Sequence, residues 1–293
     1  MKLFVTGGAG FIGSAFCSSA EQKGHDVRVV DITRGHDLGD RIDLAEQFDG
    51  YRPDWVVHLA ATPGVSSAAG IGITDMKNTA NLLEVMPRDS KILFVSTGSV
   101  YGRQFMFPTT EHAPFRPQES YYAAAKLGCE GLVSAYCGQN KSIGITLRLG
   151  TIIGPGNNKG FIRDFVTRLR ADSKKLVTWG DGNQIKSYLH ISDMVSAMWE
   201  TMEKTEGYSE YNVAHYQHAS IKQCIPWVTD EMGLKPTIQY GLESTGMFGD
   251  IPVIKLSNAK LRGGTGWEPQ YSIEQAVRAN VRWLLDNEHK IAA

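Results

Sequence analysis

The chain has 293 residues, 42 % of them hydrophobic and 21 % charged, which is ordinary for a globular protein with a sizeable core. The formal net charge of −1 gives no electrostatic attraction to nucleic acid or to an anionic membrane, so neither is expected as a partner. There is no run of about eighteen apolar residues, and the N-terminus reaches glycine too soon for the apolar core of a signal peptide. These observations predict a soluble, cytoplasmic protein.

The four cysteines are scattered along the chain and form no C-x-x-C pair and no spacing typical of metal ligands. They are small residues within apolar segments, and we expect them in the core of a protein from a reducing compartment. No metal site is predicted.

The first strand and helix carry a glycine-rich motif. An apolar run at residues 2–6 predicts a buried strand, and Gly7-Gly8-Ala9-Gly10-Phe11-Ile12-Gly13 leads from it into an amphipathic helix that ends near Lys23. Glycine permits the tight turn and the close approach of main chain to a pyrophosphate, which a helix N-terminus then binds. The motif predicts a dinucleotide site with contacts at Gly7, Gly10, Phe11, Ile12 and Gly13.

The second predicted strand, residues 27–31, ends in Asp31, 18 positions after Gly13. A carboxylate there can accept both hydroxyls of an adenosine ribose and would repel a 2′-phosphate, which favours NAD over NADP. Arg34 leaves NADP open, since an arginine can pair with such a phosphate. The connection onward to Asp37 and Leu38, both predicted cofactor contacts, is too short for a crossover helix.

Strands and helices then alternate. Strands are predicted at 54–60, 91–97 and 142–149, and helices at 40–49, 72–86 and from Tyr122 to about residue 136, with a loop at 103–119. This order predicts an α/β fold of the Rossmann type, a doubly wound parallel sheet with helices on both faces. Ligands of such sheets lie across the carboxyl ends of the strands, so Leu59, Ala60 and Ala61 are expected to contact the cofactor.

After Pro155 the regular alternation of strands and helices ends, and a smaller interleaved α/β lobe is predicted. Helices are expected at 160–169, 193–202, 219–232 and 273–286, with short strands near 177, 211 and 235–240. We assign residues 1–155, completed by about 186–215, to the NAD-binding domain, and 156–185 with 216–293 to a substrate-binding lobe. A cleft between the two would hold a substrate.

Tyr122 and Lys126 are four residues apart and share one face of the predicted helix. A lysine near a phenol favours the phenolate and lowers the pKa of the tyrosine, which would make it a base near neutral pH. On its own the spacing is weak evidence, because an amphipathic helix often shows both residues on one side.

With these residues in hand, the chain resembles the extended short-chain dehydrogenase/reductases, specifically the nucleotide-sugar epimerase/dehydratase branch. The resemblance covers nearly the whole length. It rests on Gly7-x-x-Gly10-x-x-Gly13, Asp31, His58-Leu-Ala-Ala61, Ser96-Thr97 before Val100-Tyr-Gly102, Tyr122-x-x-x-Lys126, Arg148 through Gly154-Pro155, Gly180-Asp-Gly182-x-Gln184 and Gly266-Trp267-x-Pro269.

The resemblance implies that Thr97, Tyr122 and Lys126 are the catalytic residues. Tyr122 would take a proton from a substrate hydroxyl while hydride leaves the same carbon for NAD, Lys126 would bind the nicotinamide ribose, and Thr97 would bind the reacting oxygen. Members of the family commonly dimerise through two helices per subunit, here residues 72–86 and 118–137. The expected substrate contacts are Thr62, Thr97, Ser99, Thr151, Lys186 and Tyr188.

Departures from the family pattern narrow the reaction. Sugar 4,6-dehydratases place an Asp-Glu pair directly after the catalytic threonine, and decarboxylases usually have Glu at the second of these positions, but here Gly98 and Ser99 stand there. The expected activity is therefore an NAD-dependent 4-epimerase of a nucleotide-diphosphate sugar. A reductase or dehydrogenase is the main alternative, followed by a dehydratase or decarboxylase, or a non-catalytic NAD sensor.

Other departures concern the substrate. Asn is common in the family at the position of Thr151, and Arg at that of Lys186. A second arginine commonly precedes a Gly-Asp such as Gly249-Asp250, where this chain has Met247 and Phe248. Lysine lacks the bidentate fork of arginine, so a smaller hydroxylated substrate stays open. Lys159, Arg163 or Arg262 could replace the clamp or be solvated.

Six further features are interpreted without a catalytic role. We expect His58 to be a core histidine and His190 and Asp193 to serve structure at the start of a helix. Trp179 and Trp267 are expected to pack in the small lobe. The aromatic segment Phe105-Met106-Phe107 is open to two interpretations, a lid or a partner surface.

Overall fold

The computed structural model describes residues 1–62, 69–117, 120–244 and 251–287. The first half contains β1 (Lys2–Thr6), α1 (Phe11–Gln22), β2 (Asp26–Val30), α2 (Arg41–Phe48), β3 (Trp55–His58), α3 (Ala69–Val85), β4 (Lys91–Thr97), α4 (Tyr121–Asn140) and β5 (Gly144–Leu149). The second half contains β6 (Thr151–Ile153), α5 (Gly160–Ala171), β7 (Lys175–Val177), β8 (Ile185–Lys186), β9 (Tyr188–His190), α6 (Ile191–Lys204), β10 (Tyr208–Val213), β11 (Ala219–Ser220), α7 (Ile221–Glu231), β12 (Thr237–Gln239), α8 (Ala259–Thr265) and α9 (Ile273–Asp286).

Six parallel strands form the central sheet, in the order β10-β5-β4-β3-β1-β2. The chain leaves β1 towards β2 on one side and later continues from β3 to β10 on the other. The order therefore reverses between β1 and β3, and ligands of open α/β sheets bind at such a switch point. The predicted α/β fold with a parallel, doubly wound sheet is confirmed.

Helices cover both faces of the sheet. Successive side chains of a strand point to opposite faces, so each strand contributes to the core on either side. Leu3 and Val5 of β1 pack into a core with Phe16 of α1 and Met198 of α6. Phe4 points to the opposite face, where α2, α3 and α4 supply a second core that includes Leu44, Leu82 and Val133. Consecutive apolar residues in a strand are therefore all buried, as expected for a parallel sheet.

A separate core lies in the second half of the chain. Phe165 of α5, Val228 of α7 and Val277 of α9 are buried together there. Three two-stranded sheets, β6 with β9, β7 with β12 and β8 with β11, accompany these helices. The residue limits that we gave for the two lobes stay a prediction.

Residues 256–267, which lie between β12 and α9 in the chain, pack against the central sheet. Leu261 of α8 and Trp267 are buried in the core that α1 and α6 form, and Leu256 packs on Val100 and Tyr101. The prediction that Trp267 packs in the small lobe was therefore wrong, because α8 lies against α6 and β10. Trp179 is 63 % exposed, and the Arg168 guanidinium lies 4.6 Å from its ring centroid.

Local details follow from the residues at the element ends. The short connection after β2 is a single 3₁₀ turn, Ile32–Arg34, and Asp31 caps it by accepting from the Thr33 amide. Helix α4 begins at Tyr121, because the Ser120 side chain accepts from the Ala123 amide. Its C-terminus, Asn140, lies four residues beyond the predicted end.

All four cysteines are buried free thiols. Among the described residues, no helix combines the length and apolar character of a membrane span.

Candidate active site

The glycine-rich turn joins β1 to α1 at the switch point. Gly7 has a φ of +70°, and a Cβ there would lie 2.6 Å from the Ala60 amide nitrogen. A Cβ on Gly13 would lie 2.2 Å from the Gly7 carbonyl oxygen. These two positions require glycine because the backbones of the turn, α1 and the end of β3 touch one another.

Gly10 differs from these two glycines. A Cβ there would meet only the Gly7 oxygen, at 3.2 Å, and otherwise points into open space. Gly10 is the N-cap of α1, and no side chain caps that helix. The N–H groups of its first turn, at Phe11 and Ile12, therefore keep the positive end of the helix dipole available to an anion, which fits a dinucleotide pyrophosphate.

Asp31 is tied to the same turn. Its carboxylate accepts from the Ala9 amide at 3.0 Å and from the amide and hydroxyl of Thr33 at 3.0 and 2.8 Å. Burial raises the pKa of this carboxyl, but the hydrogen bonds and the charge of nearby Arg34 together lower it by more. The pKa of Asp31 therefore lies below its ordinary value. The group is ionised at neutral pH and retains lone pairs for the hydroxyls of a ribose.

The remaining predicted cofactor contacts lie beside this turn. Leu59, Ala60 and Ala61 follow β3 and are half-buried, and the Ala60 amide donates to Thr6 Oγ1 at 3.3 Å. Asp37 is exposed, and its carboxylate accepts from the Gly39 amide at 2.8 Å. The Leu38 side chain packs in the core of the sheet.

His58 lies at the end of β3 and is buried. Thr6 Oγ1 lies 2.7 Å from its Nδ1, and Thr79 Oγ1 lies 3.0 Å from its Nε2. Burial, together with the charge of Lys126, lowers the pKa of His58 to about 3. The ring is therefore neutral and fully hydrogen-bonded, which agrees with the prediction of a core histidine.

The three predicted catalytic residues come from the end of β4 and the start of α4. Thr97 caps a 3₁₀ turn, Gly98–Tyr101, and its Oγ1 accepts from the Ser99 amide at 3.2 Å. Tyr122 is in the first turn of α4 and Lys126 in the second. Lys126 is buried, its ammonium donates to the Val95 carbonyl oxygen at 2.8 Å, and it lies 4.6 Å from the centroid of the Phe94 ring.

The pKa of Tyr122 is raised to about 12, first by burial and second by the carboxylate of Asp75. This is opposite to the direction expected from the Tyr-Lys spacing, because removing a phenol from water disfavours its anion. Burial also lowers the pKa of Lys126. For Tyr122, the protein alone therefore favours the neutral phenol, and an added positive charge beside it would favour the phenolate.

Sequence reasoning missed Asp75. It lies on the buried side of α3, and its two carboxylate oxygens accept from the Thr62 amide at 3.2 and 3.1 Å. It therefore joins α3 to the segment that follows β3, close enough to Tyr122 to affect the pKa of the phenol. The sequence signal for Asp75 was its position one helical turn before Thr79, which places both on the same face of α3. Thr79 Oγ1 donates to the Asp75 carbonyl oxygen and is hydrogen-bonded to His58.

A buried ion pair between Arg148 and Glu130 was also missed. Arg148 Nη2 and Nε bind Glu130 Oε2 at 2.8 and 3.0 Å, with both side chains almost fully buried. Arg148 also donates to the Tyr101 hydroxyl at 3.0 Å, and that hydroxyl donates to Asn212 at 2.8 Å. Ser96 donates to Glu130 as well. The network ties β4, β5, β10 and α4 together, and its member Ser96 directly precedes Thr97 in the chain.

Comparison with known proteins agrees with this geometry. A family model described as the NAD dependent epimerase/dehydratase family matches residues 3–214, which is more than half of the chain. The chain belongs to that family. A dTDP-glucose 4,6-dehydratase from Neisseria meningitidis is 29 % identical over 337 residues, covering 98 % of this chain and 94 % of the relative.

Two solved structures extend the comparison. The UDP-glucose 4-epimerase of Thermotoga maritima, solved with UDP-glucose, is 25 % identical with a TM-score of 0.89, covering 98 % of this chain and 100 % of that one. MoeE5, solved with UDP-glucuronic acid and NAD, is also 25 % identical, with a TM-score of 0.87 and coverage of 98 % and 99 %. Similarity to this NAD-dependent epimerase/dehydratase family thus extends over nearly the whole chain.

NAD is the cofactor of this epimerase/dehydratase family, and the residues at the switch point fit it. Gly10 provides an open cradle at an uncapped helix, Asp31 provides an ionised acceptor, and the half-buried 59–61 segment provides an apolar bed. Among the described residues, no group of His, Cys, Asp and Glu could hold a metal ion.

The predicted substrate residues of this epimerase/dehydratase differ in burial and in the element that carries them. Ser99 and Thr151 are half-buried near the carboxyl ends of β4 and β5. Lys186 donates to the Ile251 carbonyl oxygen. Tyr188 is 1 % exposed, and its ring packs on Phe161 in the core of the small lobe. Its hydroxyl is therefore held within that core.

Several other expectations concern the same lobe. Arg262 binds Glu268 at 2.7 Å on the surface, so its charge is already paired. His190 caps α6 by accepting from the Ser192 amide at 3.1 Å, and Asp193 accepts from two amides of the segment before α9. Both therefore serve structure, as predicted. The expectation for residues 247–250 lies outside the described residues.

Proposed function

We propose that this protein is an NAD-dependent epimerase of a nucleotide-diphosphate sugar that oxidises C4 transiently and reduces the keto sugar on its other face. One observation carries the proposal. The chain has the three catalytic residues Thr97, Tyr122 and Lys126, but the two residues after Thr97 are Gly98 and Ser99, neither of which is an acid. A Cβ on Gly98 would lie 2.8 Å from Leu256 Cδ1 and 3.1 Å from the Leu149 oxygen. A side chain at this position would therefore have to displace Leu256.

Each catalytic residue has a defined part. Tyr122 takes the proton of the C4 hydroxyl as the alcohol becomes a ketone, and returns it when the ketone is reduced. Thr97 binds the same oxygen, and Lys126 holds positive charge beside the phenol and hydrogen-bonds the nicotinamide ribose. Bound NAD would supply the acceptor for the hydride of C4 and the donor that returns it. No further acid or base is needed, because the proton and hydride that leave are the ones that return.

A net reductase or dehydrogenase is the second candidate. The observation that favours it is Arg34, whose charge lies close enough to Asp31 to lower the pKa of that carboxyl. An arginine beside the ribose acceptor could bind the 2′-phosphate of NADP, which is the cofactor of many reductases. The dehydratase chemistry of the Neisseria relative is disfavoured here, because Gly98 and Ser99 supply no carboxylate.

The first experiment is to denature the purified protein and identify the released small molecules by mass spectrometry. One NAD or NADH per chain would support an epimerase that recycles its cofactor in place, whereas an empty site or NADP would favour the reductase. The same preparation, given UDP-glucose without added cofactor, should produce its C4 epimer, detectable by proton NMR. Tyr122→Phe should retain NAD and lose this turnover.

Two further predictions accompany the proposal. We propose that the protein is cytoplasmic, which its four unpaired, buried cysteines support.

We also propose a homodimer through α3 and α4, because Ile73, Met76 and Tyr121 expose apolar side chains along these two packed helices. Sedimentation equilibrium would test the dimer, and Ile73→Glu should weaken it.

A further inference from the structure

A small cavity of about 160 Å³ is lined by Ser99 and Ser120, each of which lies two residues along the chain from a catalytic residue. Its walls are the 3₁₀ turn after β4, the loop that follows it, and the start of α4. Ser99 in one wall donates its amide proton to Thr97 Oγ1 at 3.2 Å. Ser120 in the opposite wall caps α4 two residues before Tyr122. A sugar whose reacting oxygen lies between Thr97 and Tyr122 would therefore extend a ring substituent into this cavity.

The cavity carries positive charge. Arg103 and Arg116 both line it, and the described lining contains no carboxylate. For Arg116, none of the described carboxylates forms an ion pair with the guanidinium, which lies 5.7 Å from the centroid of the Phe105 ring. A contact with an aromatic face orients a guanidinium and leaves its forward N–H donors available.

The backbone fixes Arg116 in this wall. Its amide donates to the Val100 carbonyl oxygen at 3.1 Å. Gly102 has a φ of +60°, and a Cβ there would lie 1.9 Å from the Arg116 oxygen. Val100 and Tyr101 are buried, and the Tyr101 hydroxyl accepts from Arg148, so the position of Arg116 is coupled to this buried part of the site.

Resting on the proposed function, we infer that the preferred substrate carries a carboxylate on its sugar, as in a nucleotide-linked hexuronic acid. A carboxylate accepts two parallel N–H bonds from a guanidinium, whereas a hydroxymethyl group at the same ring position cannot neutralise it. The cavity lies beside the reacting groups, so the arginines recognise the sugar and leave the diphosphate to other residues. This assigns Arg116 to substrate selection.

The test compares matched sugars on the same nucleotide, UDP-glucuronic acid with UDP-glucose and dTDP-glucuronic acid with dTDP-glucose. For each pair we would measure kcat/KM for C4 epimerisation, and affinity by calorimetry with the inactive Tyr122→Phe protein. The wild type should prefer the uronic acid, and Arg116→Gln should lower kcat/KM for it by about tenfold while leaving the neutral sugar nearly unchanged. Arg52→Gln, an exposed arginine paired with Asp89, is the matched control.

Each outcome has a defined meaning. Equal use of both sugars by the wild type, or an equal loss on both in Arg116→Gln, would overturn the inference and leave the epimerase proposal intact. Weaker binding of UDP and dTDP alone in Arg116→Gln would assign the arginine to the diphosphate, which also overturns it. If neither sugar of either pair binds or turns over, the proposed function itself is refuted.

Discussion

Replacing Asp75 by asparagine tests how the protein sets the basicity of Tyr122. The pKa of Tyr122 is about 12, against an ordinary value of 10.0, and burial accounts for more of this rise than Asp75 does. Removing the negative charge should therefore lower the pKa by less than about 1, equivalent to less than about 1.4 kcal/mol. The asparagine Oδ1 can still accept from the Thr62 amide, so the local structure should persist.

The assay is the pH dependence of kcat/KM for epimerisation. The phenolate is the base, so the rate rises with pH until the pKa of Tyr122 is passed. A lower pKa moves this acidic limb to lower pH, and at a fixed pH on the limb Asp75→Asn should be faster by up to about tenfold. The positive charge of bound NAD would act on the phenol of both proteins alike and would leave the sign of the difference unchanged.

Two controls separate this effect from structural ones. Glu84→Gln removes a carboxylate from the same helix, at an exposed position paired with Arg41, and should leave the profile in place. The affinity for NAD, measured by calorimetry, should be equal in both variants and the wild type. A limb that does not move, or moves to higher pH, would refute the argument that Asp75 opposes the phenolate.

Three further perturbations test the cofactor turn and the buried network. Glu130→Gln leaves the buried Arg148 charge uncompensated and should cost about 3–5 kcal/mol, seen as a fall of roughly 6–20 °C in Tm; an unchanged Tm would contradict this. Gly10→Ala should keep the wild-type Tm and weaken NAD binding, while Gly13→Ala, whose Cβ would overlap the Gly7 oxygen, should lower the Tm as well. Asp31→Asn should weaken NAD binding by about tenfold to a hundredfold and reduce the discrimination against NADP, measured by titration of both; a loss for both cofactors alike would count against the ribose contact.

The parallel sheet could be predicted from the sequence because its signals are local. The central strands, such as β1, β3 and β4, are nearly continuous apolar runs, and the crossovers at β1 with α1 and at β4 with α4 are long enough for a helix. The glycine spacing identified the turn, since backbone contact at Gly7 and Gly13 admits no other residue. Helix α8 was not predicted, because Ala259–Thr265 contains two glycines and gains its stability from packing on α6.

The electrostatic environment of the site could not be predicted in this way. Asp75 and Tyr122 are 47 positions apart, and only the packing of α3 on α4 brings their charges within range. Glu130 and Arg148 come from α4 and β5, and neither position shows in its own segment that a partner lies across the core. The direction of the pKa of Tyr122 was predicted wrongly because spacing along a helix carries no information about burial.

The return of the chain from the small lobe to the central sheet limits how the protein can be shortened. The family match ends at residue 214, yet Leu256, Leu261 and Trp267 complete the packing beyond it. The Asp193 carboxylate would also lose the Gln270 and Tyr271 amides that satisfy it. The smallest autonomous folding unit is therefore close to the whole chain, and a fragment ending at residue 214 should expose apolar surface and aggregate.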